Sequence, residues 1–196
     1  MEERKSGHDA DVELVLAVKD GDATAFRGIV EKYQNRIFSM AYGMTRNRED
    51  ARDIAQDTFV KAFRNIESFR LESSLYTWLY RIAMNLAIDH SRRVKRQPTS
   101  EFDEEIAQRD DAGSVAEPHH LDSPTRALER KQLFRDILDA LEHLPADQKQ
   151  VILLRELEGL SYKEIADIME IPEGTVMSRL FYARKKMQKL LAAHQP

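Results

Sequence analysis

The sequence predicts an all-α protein: two helical domains, an N-terminal bundle and a C-terminal helix-turn-helix, joined by an acidic flexible linker. Three observations carry this. Apolar residues recur at three- and four-residue spacing along DVELVLAVKDGDATAFRGIVEKYQNRIFSMAYGM, DARDIAQDTFVKAFRNI and TWLYRIAMNLAIDHSRR, and nothing alternates as a half-buried strand does. The run LSYKEIADIMEIPEGTVMSRLFYARKKMQKLL contains a helix start, a stop ahead of a proline and a second start. The formal net charge of −4 is unevenly spread: residues 9–96 sum to +2 and 130–196 to +1, whereas 97–129 hold nine acids against Arg109 and Arg126.

These shifts divide the chain into a short tail (1–8), a first domain (9–96), a linker (97–129) and a second domain (130–196). With Pro98, Pro118 and Pro124 and few large apolar residues, the linker cannot bury enough surface to offset its ordering entropy. A chain of 196 residues suffices for two modest cores. No repeat occurs at solenoid periods. The absence of cysteine excludes a disulfide scaffold, a thiolate zinc site and a cysteine nucleophile. The start MEERKSGHDADVELV offers no apolar signal core, and no run of about 18 apolar residues occurs. A cytoplasmic protein without membrane insertion is expected.

In the first domain, Ala55, Phe59, Ala62, Phe63 and Ile66 share one helix face, and Asp50, Asp53 and Asp57 line the opposite one with Gln56 at its edge. Such an acidic stripe is either a solvated face or a dock for a basic partner helix. From Thr77 to Arg93, Leu79, Ile82, Ala83, Leu86 and His90 form the inner face, with Arg81, Asn85 and Arg92 outside. Residues 77–96 hold five cations (Arg81, Arg92, Arg93, Lys95 and Arg96) against Asp89 alone, preceded by or interleaved with Phe69, Tyr76, Trp78 and Tyr80. Cations beside aromatic platforms suit single-stranded nucleic acid. Trp78 taken alone reads as a packing residue.

In the second domain, Ser161 and Glu164 have capping-box spacing, with Leu160 and Ile165 as a hydrophobic staple. Ile165, Ile168 and Met169 face inward. The helix should stop near Glu170, because Pro172 disfavours helical geometry at Ile171 and suits the first turn of the next helix. A turn this short forces the steep crossing of a helix-turn-helix. In its second helix, Val176, Leu180, Ala183, Met187 and Leu190 make one core stripe, opposite Ser178, Phe181, Tyr182, Lys185, Gln188 and Lys189. From Gly174 onward there are five cations (Arg179, Arg184, Lys185, Lys186 and Lys189) and no acid. Cations for phosphates, with Ser178 and the rings for base edges, suit the DNA major groove. Charge alone would only complement the helix dipole; the cap, turn and outward rings together favour DNA.

Enzymatic readings find little. Glu117 and His120 have Glu-x-x-His spacing, but Pro118 lies between them and the second copy required by carboxylate-bridged metal sites is missing. No phosphate-cradling glycine loop or nucleophile elbow occurs. No metal or cofactor is expected.

The runs DARDIAQDTFVKAFRNIESFR, SSLYTWLYRIAMNLAIDHSRR and LPADQKQVILLRELEGLSYKEIADIMEIPEGTVMSRLFYARKKM resemble bacterial RNA polymerase sigma factors of the extracytoplasmic-function (ECF) group, in order and spacing. The resemblance implies a subunit without chemistry of its own that binds core RNA polymerase, selects promoter DNA and helps to melt it. It further implies an anti-sigma partner. By position, Asp50, Asp53, Gln56, Asp57 and Phe59 match the segment placed against the polymerase clamp. Ser73, Ser74, Leu75 and Asn85 match the pocket that captures a flipped minus-10 base; Tyr76, Trp78 and Tyr80 lie where strand separation is supported, with Arg81, Arg92 and Arg93 alongside. At the minus-35 element, Arg155, Ser161 and Thr175 match phosphate-contacting positions, and Met177, Ser178, Phe181 and Tyr182 base-facing ones, flanked by Lys163, Arg179 and Lys185. Members of the group often carry arginine where this chain has Met177 and Tyr182. The linker would thread near the RNA exit path, its acids mimicking nucleic acid. The alternative is a stand-alone helix-turn-helix regulator that binds duplex DNA without polymerase.

Overall fold

The computed structural model describes residues 2–96 and 124–192, which are helical throughout their regular elements with no strand among the described residues. The N-terminal lobe comprises α1 (Glu2–Lys19), α2 (Ala25–Thr45), α3 (Arg48–Asn65) and α4 (Leu75–Arg96), with one 3₁₀ turn over Ile66–Ser68. Residues 2–8, expected as a tail, continue α1 in one helix. Ile29, Tyr33, Ile37 and Met40 of α2 are buried, as are Ala51, Ile54, Phe59 and Ala62 of α3 and Leu79, Ala83, Met84 and Ala87 of α4. Local chemistry sets the ends: Arg46 closes α2 in a left-handed conformation (φ 60°), and Asn47 caps α3 by accepting from the Glu49 and Asp50 N–H groups at 2.8 and 3.1 Å. The Ser74 hydroxyl accepts from the Thr77 N–H at 3.1 Å, which starts α4 at Leu75. Asp11 of α1 is buried and takes the Tyr33 hydroxyl and Lys32 Nζ at 2.6 Å each.

The C-terminal lobe comprises α5 (Pro124–Glu142), α6 (Ala146–Ile152), α7 (Tyr162–Met169) and α8 (Glu173–Ala192). Helix α5 opens on Pro124, inside the expected linker, because a proline at the first helical position loses no hydrogen bond. Residues 97–123, which hold most of the acidic segment and both Glu117 and His120, lie outside the described residues. Leu154, Ile165, Val176 and Leu180 form the centre of this lobe. Ser161 and Glu164 make the expected reciprocal capping box, and Glu170 ends α7 in a left-handed conformation (φ 55°) just before Pro172. Ser161→Ala is expected to lower stability by about 1 kcal/mol, the usual worth of such a cap. A urea midpoint unchanged from the parent would show that the cap contributes nothing.

The helix after α6 widens into a π turn at Leu153–Leu157, and Gly159 (φ 68°) reverses the chain beyond it, a conformation that glycine adopts without strain. This bulge faces the N-terminal lobe. The lobes pack together, α4 against α7 and α2 against the π turn. Gly43 of α2 permits the approach: a Cβ there would stand 2.8 Å from Leu153 Cδ2. Lys149 is buried and donates to the Met44 carbonyl at 3.0 Å, and Arg46 pairs with Asp139 at 2.6 Å.

Candidate nucleic-acid and polymerase interfaces

Helix α8 buries Val176, Leu180, Ala183 and Met187, which leaves the opposite face to solvent. Met177, Phe181 and Tyr182 are all at least half exposed, and the two rings meet edge to face at 5.4 Å. Lys185, Gln188 and Lys189 extend that face. Not every cation is available to DNA: Arg179 pairs with Asp147 at 3.1 Å and Arg184 with Glu156 at 2.6 Å. Ser178 donates back to the Thr175 carbonyl at 3.0 Å, and Thr175 is partly buried. Arg155 donates to the Leu160 carbonyl and covers the Tyr162 ring at 5.2 Å, so it holds the turn leading into α7. Ser161 is engaged as the cap, and Lys163 is exposed one position into α7. The outward face of α8 is therefore apolar and aromatic at its start and cationic toward its end.

On α3, Asp53, Gln56 and Asp57 are exposed as one stripe. Asp50 stands 3.1 Å from His90 Nε2 of α4, and Phe59 is buried. Phe63, expected in the core, is 45% exposed. It packs edge to face on Phe26 at 5.0 Å along a groove of about 600 Å³ between α2 and α3, whose lining includes Phe38, Gln56, Phe59 and Val60. Helix period alone put Phe63 inward; its position at the α2 edge is decided by how far apart the helices stand.

Along α4, Asn85, Arg92 and Arg93 are exposed, whereas Leu75 and Tyr80 are fully buried. Trp78 stacks on Phe69 at 4.9 Å, the packing role read for it alone. Ser73 and Ser74 are partly buried at the start of the helix. Arg81 reaches across to the second lobe, where it donates to the Asp167 carbonyl and lies 3.9 Å from the Glu170 carboxylate. Its Nε is buried without a hydrogen-bond partner among the described residues.

Two residues absent from the sequence reading meet at this junction. Glu158, its side chain 3% exposed, accepts from Arg36 Nε at 3.1 Å and from the Tyr76 hydroxyl at 3.0 Å. Arg36 Nη2 also donates to the Tyr76 oxygen at 2.8 Å, and the guanidinium carbon lies 4.3 Å from the Tyr76 ring centroid. Burial first, and Glu158 second, push the pKa values of the Tyr76 and Tyr80 hydroxyls well above that of free tyrosine. The Tyr33 hydroxyl is raised likewise, by burial and by its bond to Asp11. One of two arginines in α2 and one glutamate among many give no sequence signal, because the partners are 122 residues apart.

A helical lobe with an acidic outer stripe, coupled to a helix-turn-helix with an outward aromatic and cationic face, has the architecture of a DNA-binding protein. The Sigma-70 region 2 family matches residues 29–97 and the Sigma-70 region 4 family residues 134–187. The chain is 42% identical over 181 residues to the ECF RNA polymerase sigma-E factor of Haemophilus influenzae, covering 91% of this chain and 93% of that one. It is 39% identical to the RNA polymerase sigma-H factor of Pseudomonas aeruginosa, covering 92% and 93%. Among solved structures, the sigma factor RpoE in complex with the anti-sigma factor NepR from Bartonella quintana is similar at TM-score 0.64 and 27% identity, covering 87% of this chain and 98% of that one. CnrH, solved with the cytosolic domain of CnrY, shares the fold at TM-score 0.67 and 23% identity, covering 95% and 99%. The chain belongs to the ECF family of RNA polymerase sigma factors.

Proposed function

We propose that this chain acts as an ECF sigma factor: it binds core RNA polymerase, directs it to specific promoters and helps to melt the minus-10 element. The observation that carries this reading is the outward face of α8, where Met177, Phe181, Tyr182 and Lys185 stand free of the core in a chain matched in both lobes by sigma-factor families. The N-terminal lobe serves the polymerase and the minus-10 strand, the C-terminal lobe, which opens with α5 at Pro124, serves the minus-35 duplex, and the segment between them joins the two. The polymerase surface is the α3 stripe Asp53, Gln56 and Asp57, with Asp50 at its end and Phe59 beneath. The groove beside Phe63 supplies apolar area next to these charges, as interface centres require. Asn85 offers an amide to an unpaired base, and Arg81, Arg92 and Arg93 follow the strand. The chain assembles and positions; the polymerase performs the chemistry. It acts with that enzyme in the cytoplasm, and no helix among the described residues is long and apolar enough to cross a membrane.

An anti-sigma factor is its regulatory partner. The structural relative from Bartonella quintana was solved with such a partner, which supports this assignment.

The decisive experiment is run-off transcription with purified chain and bacterial core polymerase on pooled promoter fragments. Defined starts that require the chain are expected. Duplex binding without any chain-dependent start would replace this reading with that of a stand-alone regulator. The promoter sequence should also differ from that of relatives with arginine at the positions of Met177 and Tyr182. Arginine pairs with the two acceptors of guanine, whereas methionine and a ring edge favour thymine methyl groups. Randomised-site selection is expected to enrich thymine opposite this face; recovery of guanine there would refute the shift.

A further inference from the structure

We propose that Lys19, at the end of α1, is a positioning residue for the minus-10 base pocket: its ammonium fixes one end of the loop between the 3₁₀ turn and α4, and so sets how tightly a flipped base is held. This rests on the sigma-factor reading, which assigns that base to Ser73, Ser74 and Asn85, and adds a residue that touches neither base nor strand. Lys19 Nζ donates to the Glu67 carbonyl at 3.2 Å and to the Phe69 carbonyl at 2.7 Å, 48 and 50 residues along the chain. Both carbonyls lie at the end of the 3₁₀ turn Ile66–Ser68, where a helix leaves acceptors unpaired. The Phe69 ring is buried and stacks on Trp78 of α4 at 4.9 Å. Phe69 is thereby gripped at its carbonyl by α1 and at its ring by α4.

The other end of the loop is held at Ser74, whose hydroxyl accepts from the Thr77 N–H at 3.1 Å and lies 2.8 Å from Thr77 Oγ1. Between these anchors, residues 70–73 form no hydrogen bond with any described residue. Leu71 nevertheless holds a left-handed conformation (φ 59°), which a branched aliphatic residue adopts only where its surroundings impose it. The shape of the loop, and with it the place of Ser73, is therefore set at its two ends. The Ser74 end is closed within α4 itself. The Phe69 end depends on Lys19, because the Phe69 carbonyl has no other hydrogen-bond donor among the described residues. Without the ammonium the loop gains room to move while the helices on either side stay packed. A pocket that is competent about a tenth of the time holds its base roughly tenfold more weakly.

The test uses holoenzyme, the full chain on bacterial core polymerase, and a fluorescein-labelled fork taken from a promoter mapped by run-off transcription. The fork is duplex across the minus-35 element and single-stranded across the minus-10 element, with one abasic site moved along the single strand; binding is read by anisotropy. The parent should show one position where loss of the base weakens binding most. In Lys19→Met that penalty should fall about tenfold: the intact fork binds about tenfold more weakly, and the fork abasic at that position binds as it does to the parent. Lys19→Arg still donates to both carbonyls and should restore most of the penalty. A full penalty in Lys19→Met overturns the proposal. So does an equal loss on intact and abasic forks, the mark of a folding defect or of a direct contact with the strand. Lys19→Arg behaving as Lys19→Met overturns it as well. A parent with no position-specific penalty would remove the base-capture reading itself, and the proposal with it, which separates the two failures.

Discussion

Leu180→Ala is expected to abolish duplex binding by unfolding the C-terminal lobe, whereas Phe181→Ala, one residue along, should weaken binding with little change in stability. Leu180 is 1% exposed at the centre of the lobe, and its truncation removes the burial of the side chain and leaves a cavity, costing about 2–5 kcal/mol. A lobe of this size holds on the order of 5 kcal/mol in total, so the loss approaches its whole stability. Phe181 is 62% exposed on the same helix and contributes little to the core. Circular-dichroism melting combined with binding to a selected minus-35 duplex separates the two. Equal melting temperatures for the two variants would contradict the assigned faces of α8.

The second large effect concerns the polymerase. Reversing Asp53 and Asp57 together to lysine should reduce affinity for core polymerase about 100-fold or more, since like charges placed across an interface cost several kcal/mol. Chain-dependent transcription should fall with it at limiting chain. Both residues are exposed on α3, and substitutions at such positions change stability by about 0.5 kcal/mol or less. Folding is therefore expected to survive. Competition against the parent chain for core polymerase measures the effect; undiminished affinity would return the stripe to the status of a solvated face. Glutamine at both positions should give an intermediate loss, because it removes attraction without adding repulsion.

The elements most legible in the sequence are those closed by local chemistry. Ser161 and Glu164 lie within one turn, so their reciprocal bonds depend on hardly anything beyond their own helix, and the end of α7 near Glu170 follows from the restriction that Pro172 places on Ile171. The face of α8 is legible for a related reason: over about three turns the buried stripe from Val176 to Met187 leaves no other orientation. Less legible are positions at the margins of a face. Phe63 lies on the apolar side of α3 yet half out of the core, and Tyr80, expected beside Arg81 on an open nucleic-acid surface, is fully buried. Helix periodicity assigns a direction to a side chain; it does not say what stands opposite.

The helical class, the helix-turn-helix with its capped start and outward aromatic face, the acidic stripe of α3 and the division of charge between lobes and linker are all written in the order of the residues. Each of these depends on residues a few positions apart, where backbone geometry dictates the neighbours. That the lobes close on one another, that Gly43 admits Leu153 and that Glu158 enters the reach of Arg36 and Tyr76 is set by long-range packing. Those pairings join residues 82 and 122 positions apart through a bulged helix. Their partners are chosen by how two finished surfaces fit, and no local pattern encodes that fit.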